Sequence, residues 1–213
     1  MIGCYSSIWL EMYDDPGEKK TVKKYIVDGL LIVFSVLFAL AINKIAENYQ
    51  TKKKKSIALA CIQKELQRSS DTLQAWRSKH AEAEKVLTSL IEGKNDGLKS
   101  RLIKDHYLDF SLLTNGSSLA DNMMTSTAWE TAKSTGIIAE FDFETTQKLT
   151  DAYLLQKLII DETMVKILNY YLNPESHKRG NIDITLVQLR FRELIGQEKS
   201  MEYLYESALT RMK

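Results

Sequence analysis

From Tyr25 to Ile42 the chain reads YIVDGLLIVFSVLFALAI, a run of 18 residues whose one charge, Asp28, sits in the first turn. As a helix this run is about 27 Å long, close to the hydrocarbon thickness of a bilayer. A buried helix of a soluble domain normally keeps a polar stripe, whereas Gly29–Ile42 is apolar all round except for Ser35. The run starts late for a cleaved leader, and no small-residue cleavage pattern follows it. Residues 25–43 therefore read as a transmembrane helix. Asp28 is expected at the interface, where headgroups and water keep it ionised. Val33 stands four residues after Gly29, so no small-xxx-small pairing motif is present there.

The basic residues flank this run without choosing a side. Lys19, Lys20, Lys23 and Lys24 precede it, while Lys44 and the run Lys52, Lys53, Lys54 and Lys55 follow it. Four against five is a tie under the positive-inside rule. The lysines at 52–55 form a basic juxtamembrane helix over residues 44–55 and are expected to contact anionic lipid headgroups; a solvated helix face is the plainer alternative. Residues 1–24 form a short N-terminal tail with turn signals at Asp14-Asp15-Pro16-Gly17.

No proline or glycine falls between Gly29 and Gly93, so the span is expected to continue unbroken into a long helix. There Leu59, Ile62, Leu66, Ser69, Leu73, Trp76, His80, Ala83, Leu87 and Leu90 alternate three and four apart. Such a seam folds against other helices of its own chain or pairs with a second copy as a coiled coil. Gly93-Lys94-Asn95-Asp96-Gly97 ends it. A second helix is expected over Leu98–Leu113, and a short one from Thr127 to Gly136 with Thr127 and Glu130 spaced as a capping box. A long helix capped by Asp142 runs from Phe143 to Leu172, where Asn173-Pro174 stops it. The last helix is capped by Asn181 or Asp183 and reaches about Arg211; Glu198 interrupts its apolar rhythm. Residues 56–213 thus read as a helical bundle domain. The fold class is all-α, with an N-terminal transmembrane helix continuous with a long helix of an antiparallel bundle.

Basic and acidic residues nearly cancel, 29 against 28, so no global field draws the chain to nucleic acid. Cys4 and Cys61 lie on opposite sides of the span and are not expected to pair, and Cys61 reads as a small core residue. His80, His106 and His177 fit no ligand spacing. His80 and His106 facing each other, with Asp105 or Glu84 nearby, would be the one arrangement able to hold a metal; a satisfied buried histidine is the plainer reading. There is no nucleophile elbow and no phosphate-cradling glycine loop. No enzyme, cofactor or metal is expected.

Two patches carry a resemblance. Lys24-Tyr25-Ile26-Val27-Asp28-Gly29-Leu30-Leu31-Ile32-Val33 with Leu40-Ala41-Ile42-Asn43, and then Ala128-Trp129-Glu130-Thr131-Ala132-Lys133-Ser134-Thr135-Gly136, resemble hallmarks of a family of uncharacterised bacterial single-pass membrane-anchored helical proteins. A helix like Phe143–Gln156, with Tyr153, follows the second hallmark. The resemblance implies an anchor in the bacterial inner membrane and a helical domain on the periplasmic side, and brings no activity.

The segment Ala128–Gly136 is the candidate site. Ala128 and Ala132 are spaced for close approach of another helix, and Trp129 supplies a large anchor. One reading is a partner or ligand pocket walled by Trp129 with Glu130 and Lys133 at its rim. The other is a packing wedge, with Trp129 in the core and Glu130 capping the helix. The function expected is a membrane-anchored interaction or scaffold protein, with membrane lipid and a second copy or another membrane protein as partners. The alternative is a periplasmic sensor-like ligand-binding bundle acting through a partner.

Overall fold

A computed structural model describes residues 16–104, 107–178 and 182–212. Met1–Asp15, with Cys4 among them, and Asp105, His106 and Asn181 lie outside the described residues. The chain divides into two compact units, with the boundary between Gln50 and Thr51.

The described part of the first unit, from Pro16, is a single helix. Helix α1 begins at Pro16 and runs to Ile91, so the apolar run is entered already in helical conformation. Proline suits a helix start, where its missing N–H leaves no bond unmade. Every side chain described from Val22 to Gln50 is exposed. Phe34 and Phe38, one turn apart, stack with centroids 6.1 Å apart. The Ser35 hydroxyl donates to the Leu31 carbonyl at 2.7 Å, which satisfies the one polar side chain within Gly29–Ile42. Among the described residues, one helix is long and apolar enough to cross a bilayer, and this is it.

The second unit is an all-α bundle. Its elements are the α1 portion from Thr51, α2 (Asp96–Leu102), α3 (Thr127–Ser134), α4 (Phe143–Leu158), α5 (Val165–Leu172) and α6 (Ile184–Arg211). The seam of α1 faces this unit's own core: Ile62, Leu66, Ser69, Leu73, Trp76, His80, Ala83, Leu87 and Leu90 are all buried. Helix α6 lies antiparallel to α1. Arg77 pairs with Glu202, His80 with Glu198, Arg192 with Glu84, and Gln188 reaches Thr88, so one numbering rises as the other falls. It is antiparallel to α4 as well, through Gln156 with Tyr205 and Thr163 with Gln197. Asp183 caps α6, accepting from the N–H groups of Thr185 and Leu186, and Asp142 caps α4 through Thr145 N–H at 3.0 Å. Between α4 and α5 the chain stays helical but widens into a π turn over Ile159–Met164. The expected long helix from Phe143 to Leu172 is therefore continuous, with one wide turn in it.

The expected helix over Leu98–Leu113 is not formed. Helix α2 stops at Leu102, and β1 (Ile103–Lys104) pairs antiparallel with β2 (Tyr107–Leu108), a minimal two-residue ladder. The reason lies in what must be buried. Leu108 stands six residues after Leu102, which in a helix would turn it about 240° away. Both are core residues, at 0% and 1% exposure, and the hairpin brings them to the same side.

Candidate functional site

One buried carboxylate organises the region around α3. Glu65 follows Ile62 by three residues and precedes Ser69 by four, which puts it on the buried face of α1. Its Oε2 accepts from Ala128 N–H at 2.9 Å and from the Thr125 hydroxyl at 3.1 Å. Its Oε1 accepts from the Tyr153 hydroxyl at 2.7 Å and from Trp129 N–H at 3.4 Å. Thus α3 is capped by a carboxylate sixty-odd residues away, not by its own side chains. Ser126 at the cap position makes no side-chain cap bond. The capping box expected of Thr127 and Glu130 is not formed: Glu130 pairs outward with Lys133 at 2.8 Å. Burial, and then the hydrogen bond to Glu65, push the Tyr153 hydroxyl far above the ordinary tyrosine range. Burial does the same to Tyr205, which donates to Gln156 at 2.6 Å.

Trp129 points into the core and stacks on Tyr153, centroids 5.4 Å apart and planes within 4°. Lys133 Nζ lies over the outer side of the indole, 5.7 Å from its centroid. The three residues named from the sequence are thus brought together, yet none of them lines the groove next to them.

The cavity lies beside them, between α1 and α3. It is a groove of about 710 Å³, within the range of small-molecule sites. One wall is a three-four stripe of α1: Lys54, Ile57, Ala58, Cys61, Lys64 and Arg68. The other comes from α3 and its flanks, with Thr125, Thr127, Ala128, Thr131, Ala132, Thr135 and Ile137. The floor is apolar and small, which is why a groove exists at all: alanine and threonine facing alanine and cysteine do not fill the space between two helices. Glu65 closes the bottom at the α3 end, its oxygens already committed to four donors. Lys54, Lys64 and Arg68 rim the groove and, among the described residues, make no ion pair. Cys61 lies exposed in it. This corrects the expectation of a small core residue: Cys61 sits one position before Ile62, about 100° round the helix from the seam.

The other candidates have ordinary partners. His80 Nδ1 lies 2.6 Å from Glu198 Oε1, and its Nε2 lies 2.9 Å from the Leu119 carbonyl. Glu84 is held below the usual carboxylate range by Arg192 and binds Thr88 and Gln188. Among the described residues no group of side chains is arranged to hold a metal ion. Of the basic run, Lys52, Lys53 and Lys54 are exposed and Lys55 is half-buried; Lys54 alone reaches the groove. No family model, curated protein or solved structure matches the chain.

Proposed function

We propose that the chain is a single-pass, membrane-anchored helical interaction module without catalytic activity, and that the groove between α1 and α3 is its binding face. The observation that carries the anchoring half is the apolar run 25–42, whose large side chains are exposed throughout. Leaving Leu30, Leu31, Phe34, Leu37 and Phe38 in water forfeits about 1.5–3 kcal/mol for each of them, a cost that lipid removes. The binding half is supported by the same helix: its continuation from Lys54 to Arg68 forms one wall of the groove. A tether and a binding surface on one continuous helix suit a protein that holds something at a bilayer rather than one that transforms it.

On the resemblance set out above, the bundle faces the periplasm. Fractionation of cells expressing the full chain tests the anchor. The chain should stay in the pellet through an alkaline carbonate wash and enter solution with detergent. Recovery as a compact particle in the high-speed supernatant without detergent would remove the anchoring half. A reporter fused after Lys213 decides the side, with activity of a periplasm-dependent reporter expected.

A further inference from the structure

We infer that the groove between α1 and α3 binds an amphipath with an anionic headgroup, an apolar tail lying along the groove floor and a phosphate or carboxylate resting on Lys64 and Arg68. The inference names the ligand class for the binding face proposed above and does not depend on the membrane anchor.

Three features converge on it. The lining offers Ile57, Ala58, Ala128 and Ala132, an apolar track bordered by the hydroxyls of Thr127, Thr131 and Thr135. A space of about 710 Å³ holds one or two short acyl chains. The charge on the rim is one-sided. Lys64 and Arg68 stand one helical turn apart at the end where α3 begins, both exposed and both without an ion-pair partner among the described residues. Arginine and lysine that close together present a fork and a point charge to one anion. The hydroxyl of Thr127 borders the same end. The one acidic side chain in the lining, Glu65, is buried and bound to four donors of its own chain, so it does not compete for the two cations. Lys54, eleven residues from Glu65 along α1 and about 16 Å away, is the single cation at the other end. An acidic amphipathic helix would want cations evenly spread along the groove; a lysine–arginine pair at one end against a single lysine at the other favours a head and a tail.

Cys61 in the middle of the groove supplies the test. The full chain carrying Cys4→Ser is placed in phosphatidylcholine discs, and the rate of Cys61 modification by a maleimide is followed. Titration is with dihexanoyl phosphatidic acid below its micelle concentration. Dihexanoyl phosphatidylcholine and glycerol phosphate serve as the tail-only and head-only arms. The expected result is protection of Cys61 by the phosphatidic acid at a concentration at least tenfold below that of the choline lipid, with none from glycerol phosphate. Lys64→Gln and Arg68→Gln, both exposed positions, should each weaken protection about fivefold, with unchanged helical circular dichroism. Equal protection by both lipids overturns the inference, as does protection by glycerol phosphate alone. Stronger protection by an acidic amphipathic peptide would assign the groove to a protein helix, and no protection by any probe would leave no lipid site there. A chain that fractionates as soluble but shows the tenfold preference would lose the anchor and keep this inference.

Discussion

His80 and Glu198 meet in the interior of the bundle, imidazole Nδ1 2.6 Å from carboxylate Oε1, and both side chains are shielded from solvent. The Leu119 carbonyl on the other side of the ring only accepts, so Nε2 carries a hydrogen and a single proton is shared between Nδ1 and Oε1. Among the described residues Glu198 Oε2 has no hydrogen-bond partner, and neither has Trp76 Nε1. The pair ties α1, α6 and the connector before α3 together, at the cost of desolvating two ionisable groups.

Removing one partner should therefore hurt more than removing both. Glu198→Ala leaves the imidazole facing an apolar hole and is expected to cost about 3–5 kcal/mol in urea unfolding. The double replacement His80→Leu/Glu198→Met should recover most of that loss, since it abolishes both desolvation penalties. Equal losses in the single and double variants would show that packing alone holds these positions.

Glu65 makes a second, separable contribution. Glu65→Ala strands the Ala128 N–H and the Tyr153 hydroxyl, with an expected loss of about 2–4 kcal/mol. Tyr153→Phe removes a single hydrogen bond and should cost about 1 kcal/mol. If the tyrosine variant lost as much as the glutamate variant, the cap on α3 would be worth little.

Alkaline pH reads the same network. Tyr153 and Tyr205 are pushed far above the ordinary tyrosine value, chiefly by burial. In the unfolded chain they release protons near pH 10, so above that value the unfolded state binds fewer protons and stability falls as pH rises. Phenolate absorbance should show these two tyrosines ionising only together with loss of ellipticity. Wild type should lose stability above pH 10 more steeply than Tyr153→Phe/Tyr205→Phe.

At the acid end Asp142 is held well below the usual carboxylate range, first by Thr145 N–H and then by the Thr145 hydroxyl and Arg211. A depressed carboxylate stabilises above its unfolded value and loses that effect as pH falls through the folded one. The melting temperature should drop below about pH 4, and Asp142→Asn, which keeps a capping oxygen, should flatten that part of the profile. An unchanged acid limb in the variant would assign the acid sensitivity elsewhere.

Trp129→Ala distinguishes the two readings of the short helix. With the indole stacked on Tyr153 in the core, truncation should cost about 3–5 kcal/mol. Unchanged stability would argue against the wedge.

The buried face from Ile62 to Leu90 is readable because a three-four rhythm marks one side of a helix, and so is the cap Asp142, whose chemistry is local; for the last helix the sequence leaves Asn181 and Asp183 as candidates, and the cap is Asp183. Glu198 stood out as an interruption of the α6 rhythm, but its meaning depended on a histidine 118 residues away. Glu65 carries a signal in its spacing from Ile62 and Ser69, which puts it on the inner face, but the donors that it serves lie 60 to 88 residues away. Trp129, Glu130 and Lys133 were located as a cluster, while the groove next to them was not, because a cavity is defined by the distance between two helices.

The sequence alone determined the all-α class, the unbroken passage from apolar run to bundle helix, and which face of that helix is buried. These follow from periodicity and from the absence of Gly and Pro, properties carried by residues close together in the chain. That the chain turns back at Ile103, that α3 is capped by Glu65, that Cys61 is exposed, and that three cations without an ion pair among the described residues border a groove came from the packing of the bundle. Each of those depends on side chains far apart in sequence sharing one volume, which helical propensity does not encode and packing does.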